Sequence, residues 1–256
     1  MTGPPMPLTE DGKIPPKPVT QGYYPERVFL PKLTWRRRLA RRVLHGVARA
    51  LVRLGARCEA RGLEHLPERG PALLTVNHLG DADAVVVFAH LPWYPEVLAA
   101  MELNDYPWVR RLLNLYGVIW VHRGRPDRKA LRMALQALDE GRIVALAPEG
   151  RQSVTGALEE GTEGAAYLAL KARVPVIPIG LTGTRNDQIF PAWRRLKRPR
   201  VTITVGPPLR LNDLPNRGPA FRRALSEGTE RIMLAIARLL PPEYQGVYRD
   251  KVASGR

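Results

Sequence analysis

The chain contains a single cysteine, Cys58, among 256 residues. No intramolecular disulfide can form, so nothing argues for an oxidising compartment. Aromatic residues make up only 7% of the composition, too few for an obvious base-stacking platform. No segment approaches the roughly 18 uninterrupted apolar residues of a spanning helix. The opening "MTGPPMPLTEDGKIPPKP" carries prolines where a signal peptide has its apolar centre, so no leader is expected. Acidic side chains are also scarce: 24 against 40 basic ones, a net charge of +16. Such an excess favours acidic partners, namely phosphates, anionic lipid heads, nucleic acid or an acidic carrier protein. Apolar residues amount to 45%, which excludes wholesale disorder. These limits describe a cytosolic globular protein.

Residues 1–33 are rich in proline and lack periodicity, as a flexible arm does. Residues 34–62 form a basic amphipathic region, with a helical pattern from Trp35 to Arg57. At 100° per residue, Leu39, Val43, Leu44, Val47, Ala50, Leu51 and Leu54 fall on one side. Arg37, Arg38, Arg41, Arg42, Arg49 and Arg53 fall on the other, and Arg36 and Val52 fit neither. Residues 63–245 form the main domain, and 246–256 a tail. Short apolar runs at 72–76, 96–100, 118–121, 143–147, 176–179 and 201–205 read as buried strands. Helices are expected at 126–141, 162–173 and 218–240, the last weakened by Gly228. Alternating strands and helices predict a single α/β domain with a largely parallel or mixed sheet flanked by helices.

In open α/β sheets, ligands gather where strands end and loops begin. The stretch "LLTVNHLGDADAVVV" (73–87) places His78, Asp81 and Asp83 at such a point. Taken singly, Asp83 is a helix-capping residue, His78 a satisfied loop histidine and Asp81 a solvated turn residue. Taken together, an imidazole with a carboxylate on its other nitrogen is a base held in one tautomer. No serine or cysteine nucleophile is obviously paired with them, and a pair without its own nucleophile can still deprotonate a substrate hydroxyl directly. "APEGRQS" (147–153) puts Glu149, Gly150 and Arg151 on the loop after another strand. Gly150 allows close backbone approach, and Arg151 offers a fork suited to phosphate. "GVIWVHRGR" (117–125) puts Arg123 just past a third strand. Single arginines at such places are commonly solvated charge. A zinc site is disfavoured: His78 and His90 lack helical i, i+4 spacing, and no cysteine cluster exists.

Four of these stretches, in order, resemble the conserved blocks of glycerolipid acyltransferases. Asn77-His78 with Asp83 matches the family's NHxxxxD spacing. "GVIWVHR" resembles the second block, "APEGRQS" the third and "VPVIPIG" (174–180) the fourth. The overall likeness is to bacterial 1-acylglycerol-3-phosphate acyltransferases. The resemblance implies that His78 is the general base and Asp83 its orienting partner. It further implies an acceptor site of Asn77, Arg123, Glu149, Gly150, Arg151 and Pro178, with the arginines near the acceptor phosphate. The donor would be a fatty acyl thioester on coenzyme A or acyl carrier protein, with no acyl-enzyme, metal or redox cofactor. The implied partners are lysophospholipid and an anionic membrane surface, at the cytoplasmic face. Gly80, Trp120 and Ala147 depart from the family's usual residues but spare the charged groups. Two rival readings remain: transfer to another acceptor, such as glycerol 3-phosphate, and a basic nucleic-acid-binding protein for which no recognised motif is visible.

Overall fold

Short β-branched runs become the strands, and the loops between them become the site. The computed structural model describes residues 14–124 and 126–255. In chain order these form α1 (Trp35–Gly55), β1 (Arg57–Arg61), β2 (Ala72–Val76), α2 (Asp83–His90), β3 (Glu96–Ala100), α3 (Pro107–Tyr116) and β4 (Ile119–Val121). There follow α4 (Arg128–Asp139), β5 (Ile143–Leu146), α5 (Gly164–Ala172), β6 (Val176–Thr182), α6 (Asn186–Arg194), β7 (Arg200–Val205), α7 (Phe221–Ala237) and α8 (Arg249–Ala253). The strands form one seven-stranded sheet in the order β1-β7-β6-β2-β5-β3-β4. Every neighbouring pair is parallel except β6 and β7. The sheet is therefore mixed, as the alternation of elements requires.

Leu73 and Leu74 of central β2 point to opposite faces, and both are fully buried. On one face lies a core built with Ala130, Ala134, Leu168, Ile232 and Ile236 of α4, α5 and α7. On the other, Ala48 and Val52 of α1 join Val86 and Val87 of α2. Helices thus cover both faces, the arrangement that lets parallel strands be apolar on both sides.

The basic region ends sooner as a helix than its pattern predicts. Helix α1 stops at Gly55, and residues 57–61 form the edge strand β1, paired with β7 from Arg57↔Arg200 to Arg61↔Thr204. Its sequence, RCEAR, has no β-branched residue; the strand is held by that pairing and by Cys58 and Ala60 packing on the core. The sheet thus begins before residue 63.

Helix α1 packs on the domain through its less apolar side. Its buried residues are Arg41, His45, Ala48 and Val52. Val52, which fits neither face of the sequence pattern, belongs to the inward one. Arg41 is admitted because its charge is fully met: Nη1 and Nη2 bond Glu96 Oε1 and Oε2 at 2.9 and 2.7 Å, and Nε donates to the Tyr116 carbonyl. A buried guanidinium is tolerable only with such a bidentate partner. The apolar arc faces outward: Leu39, Val43, Val47, Leu51 and Leu54 are 49% to 74% exposed. Trp108, Leu112 and Leu115 of neighbouring α3 are exposed as well. Among the described residues no helix is long and apolar enough to cross a membrane.

The arm is described from residue 14 onward and is laid across the domain. Val28 is wholly buried. Lys129 Nζ donates to the Pro25 carbonyl at 2.7 Å, and Arg142 Nη1 to that of Pro31 at 3.1 Å. Prolines lack N–H groups, so this arm joins no strand ladder. Its carbonyls are instead satisfied by basic side chains of the domain, which leaves no periodicity for the sequence to show. Residues 1–13 lie outside the described part.

Candidate active site

Strands β6, β2, β5, β3 and β4 are consecutive and parallel. Their C-terminal loops therefore emerge along one edge of the sheet, where ligands of open α/β sheets bind. The loop after β2 carries His78. It is clamped from both sides: Ser153 N donates to the His78 carbonyl at 2.7 Å, and Asp81 N donates to Asn186 Oδ1 at 2.9 Å. Gly80 is required by this packing, because a Cβ there would stand 2.4 Å from the Thr184 carbonyl oxygen.

Asp83 is the first residue of α2, and its side chain looks back along the loop rather than into the helix. Its Oδ2 accepts from His78 Nδ1 at 2.8 Å, Leu79 N at 2.6 Å and Gly80 N at 3.0 Å. One carboxylate oxygen thus folds the loop and holds the ring. With Nδ1–H given to Asp83, the lone pair of His78 lies on Nε2. The His78 side chain is 31% exposed while that of Asp83 is 4%, so the imidazole meets solvent and its partner does not. Burial opposes the imidazolium. The Asp83 hydrogen bond and charge, with Glu149 and Asp81, outweigh it and hold His78 above the ordinary imidazole range.

Glu149, on the loop after β5, is wholly buried. Its Oε1 accepts from His78 N at 2.8 Å and its Oε2 from Glu159 N at 2.9 Å. Burial pushes its carboxyl up to about 7, against the lowering effect of those two bonds. Glu149 therefore fixes the backbone of the histidine and does not face solvent. Asn77 behaves similarly: its Nδ2 donates to the Leu181 carbonyl at 3.0 Å, and its Oδ1 accepts from Leu181 N at 2.7 Å. Both ends of the amide are spent on extending β2 towards β6. Gly150 has φ +73° and only Thr162 nearby, so the turn after β5 is left open. Pro178 sits within β6 beside Thr75, packed on Gly206. It shapes the sheet below the loops and is not brought to His78.

The two arginines reach the same edge, each with a carboxylate. Arg151 is buried; its Nε donates to Glu159 Oε2 at 2.6 Å. Arg123 follows β4, and its Nε lies 3.2 Å from Glu102 Oε2. Sequence reasoning did not single out Glu102 or Glu159, and single carboxylates on loops give no signal. It also passed over a second histidine–aspartate pair whose spacing was legible. His122 Nδ1 lies 2.6 Å from Asp127 Oδ2, with both side chains buried. Asp127 Oδ1 caps α4 by accepting from Lys129 N and Ala130 N, the helix start that Pro126-Asp127 predicts.

A family model described as Acyltransferase matches residues 57–182, which hold His78, Asp83, Arg123, Glu149 and Arg151. Among curated proteins, a 1-acyl-sn-glycerol-3-phosphate acyltransferase of Limnanthes alba is 29% identical, covering 62% of this chain and 57% of that protein. The corresponding alpha protein of Mus musculus is 30% identical over 72% of this chain and 65% of its own length. One from Borreliella burgdorferi is 27% identical over 52% of this chain and 54% of its own. The chain thus spans little more than half the length of several of these relatives. The crystal structure of a 1-acyl-sn-glycerophosphate acyltransferase from Thermotoga maritima shares the fold, with a TM-score of 0.57 and 20% identity. That match covers 78% of this chain and 82% of that one. Residues 57–182, about half of the chain, thus match the acyltransferase family and hold the histidine–aspartate pair.

Proposed function

We propose that this chain moves a fatty acyl group from a thioester to the free hydroxyl of 1-acyl-sn-glycerol 3-phosphate, making phosphatidic acid. The thioester is carried on coenzyme A or acyl carrier protein. The observation that carries the reading is the open Nε2 of His78, opposite an Nδ1–H given to buried Asp83. His78 Nε2 takes the proton of the acceptor hydroxyl as its oxygen attacks the thioester carbonyl. Asp83 stabilises the imidazolium so formed. The tetrahedral oxyanion collapses, the carbon–sulfur bond breaks, and the thiolate leaves with the proton from Nε2.

No acyl-enzyme is invoked. Cys58 lies on β1, at the far edge of the sheet, and burial pushes its thiol up to about 11. The serine nearest the pair, Ser153, donates its hydroxyl to the Ala157 carbonyl. Arg123 and Arg151 form the acceptor side, facing the phosphate.

The reaction takes place at the cytoplasmic face of the membrane. The outward apolar strip of α1 and α3, flanked by Arg36, Arg42, Arg53 and Arg111, supports peripheral docking on anionic lipid. Partial burial of about six such side chains contributes several kcal/mol, enough for reversible attachment. The test is mass spectrometry of products from purified protein given mixed acyl thioesters, lysophosphatidate, other lysolipids and glycerol 3-phosphate. Phosphatidic acid should dominate. A different dominant product would reassign the acceptor, and no acylated product would refute the reading.

A further inference from the structure

Residues 15–24 run along the loop edge that holds His78 and touch both arginines of the proposed acceptor side. The carbonyls of Pro15 and Pro16 accept from Arg151 Nη1 at 2.7 and 3.1 Å. Thr20 N donates to the Arg123 carbonyl at 3.1 Å, and Arg123 N donates to Thr20 Oγ1 at 2.6 Å. Val19 lies directly on Gly124, whose φ is +88°; a Cβ there would stand 2.6 Å from Val19 Cγ2. Farther on, Tyr24 N donates to His122 Nε2 at 2.9 Å. The strap is thus fastened at Arg151, at Arg123 and at His122, and Lys17 hangs between the first two fastenings.

Charge balance makes Lys17 the informative residue. Arg151 is matched by Glu159 and Arg123 by Glu102, so each pair sums to zero. Glu149, Asp81 and Asp83 are acidic, and together they favour the His78 imidazolium, so none of these groups supplies a cation for a phosphate. A phosphate monoester carries up to about two negative charges near neutral pH, and it needs a cation not already answered by a carboxylate. Lys17 Nζ donates to the backbone carbonyl of Glu160 at 2.6 Å. That acceptor is neutral, so it anchors the ammonium without cancelling it, and an ammonium has three donors. Partial burial, then the Arg151 guanidinium, hold Lys17 below the ordinary lysine range, against the raising effect of Glu149, Glu159 and Glu160. Such an effect is what an approaching anion would relieve. Pro16 and Pro18 flank Lys17, and a residue before proline is confined to extended backbone. The backbone that carries the ammonium is therefore largely set before any ligand arrives.

We propose that Lys17 is a specificity-determining residue of the acceptor site, delivered by the N-terminal strap to supply the unmatched positive charge that receives the acceptor's phosphate. The inference rests on the acceptor reading given above, and its test separates the two. Calorimetry with glycerol 3-phosphate, on the intact chain and without lipid, reads the phosphate contact apart from turnover and from vesicle charge. Lys17→Ala should weaken binding about tenfold to a hundredfold, the range for one charge-assisted hydrogen bond, and Lys17→Arg should keep most of it. In neutral detergent micelles, Lys17→Ala should lower kcat/KM for lysophosphatidate relative to monoacylglycerol by a similar factor, chiefly through KM. Equal glycerol 3-phosphate affinity in all three proteins overturns the proposal, as does no binding by any of them. Tighter binding in Lys17→Ala also overturns it and makes the strap a cover that the acceptor must displace. Absence of turnover in the unsubstituted protein would sink the acyl-transfer reading, while the calorimetry would still decide the role of Lys17.

Discussion

His78 and His122 occupy matching places in the chain. Each lies just past a parallel strand, and each is followed five residues on by an aspartate at the start of a helix. Each has its Nδ1 on that aspartate's Oδ2, at 2.8 and 2.6 Å. The difference is at the other nitrogen. His122 Nε2 accepts the Tyr24 amide, and its side chain is 1% exposed. His78 Nε2 faces an opening, and its side chain is 31% exposed. The same imidazole–carboxylate geometry therefore leaves one ring open and makes the other a fastening. An aspartate can orient the ring in both, but only an open nitrogen can take a proton from a substrate.

The largest effect should come from breaking one aspartate against the other. Asp83→Asn removes the acceptor that holds the Nδ1–H tautomer, and the comparable change in a catalytic triad costs about 10⁴ in kcat. A loss of about 10³ or more in turnover is expected. Asp127→Asn should leave turnover within about fivefold; asparagine still caps α4, so the change falls on the buried bond to His122 and appears as lost stability of about 1–3 kcal/mol. Stopped assays with thermal melts separate the two. Similar kinetic losses in both would erase the distinction.

Glu149→Gln comes next. An amide has one accepting oxygen, so either His78 N or Glu159 N loses its partner. Misplacement of the base should lower kcat by about tenfold to a hundredfold. Acyl transfer with a panel of thioesters measures it, and an unchanged kcat would show that the histidine loop holds itself.

The pH dependence sharpens the comparison at the proton itself. His78 must be neutral at Nε2 to act, and its neighbours hold it above the ordinary imidazole range. The value of kcat/KM should rise with pH, about tenfold per unit below that pKa, and level off only above the usual value of about 6.5. Because the folded pKa is the higher one, the stability gained from this group is fully present at low pH and is lost as pH rises through it. A plateau reached well below about 6.5 would contradict the Asp83 assignment.

The smallest effect on chemistry should come from the outward strip. Val43→Glu with Leu51→Glu puts charge where α1 is exposed, so folding should be nearly unaffected. Sedimentation with anionic vesicles should fall severalfold, while transfer in neutral micelles should change by less than about threefold. Unchanged vesicle binding would move the docking surface elsewhere.

Legibility in the sequence followed the physics of each element. Strands β2 and β3 appear at the residues their apolar runs mark, because buried strands must be continuously apolar. Strand β1 was invisible because an edge strand needs only one partner and can be RCEAR. Helix α6 was missed because it holds Pro191, and α3 was missed although it is longer than the predicted α5. The outward arc of α1 was legible in its arginine-lined polar face, whereas the burial of Arg41 against Glu96 was not. The His78–Asp83 pair was legible because i, i+5 spacing across a strand-to-helix turn brings the two groups together. The burial of Arg151, the backbone role of Glu149 and the reach of the strap depend on residues far apart in the chain, as between Pro15 and Arg151. No local pattern records such contacts.

The contrast between an open and a capped imidazole is tested most directly by one paired measurement. Single-turnover acyl transfer to lysophosphatidate should be followed for His78→Ala and His122→Ala under conditions where circular dichroism shows both folded. The account predicts a loss of about 10²–10⁴ for His78→Ala with little change in melting temperature. For His122→Ala it predicts the reverse, a lower melting temperature with most of the rate retained. A folded His122→Ala protein that loses as much rate as His78→Ala, or a His78→Ala protein that keeps its rate, would contradict it.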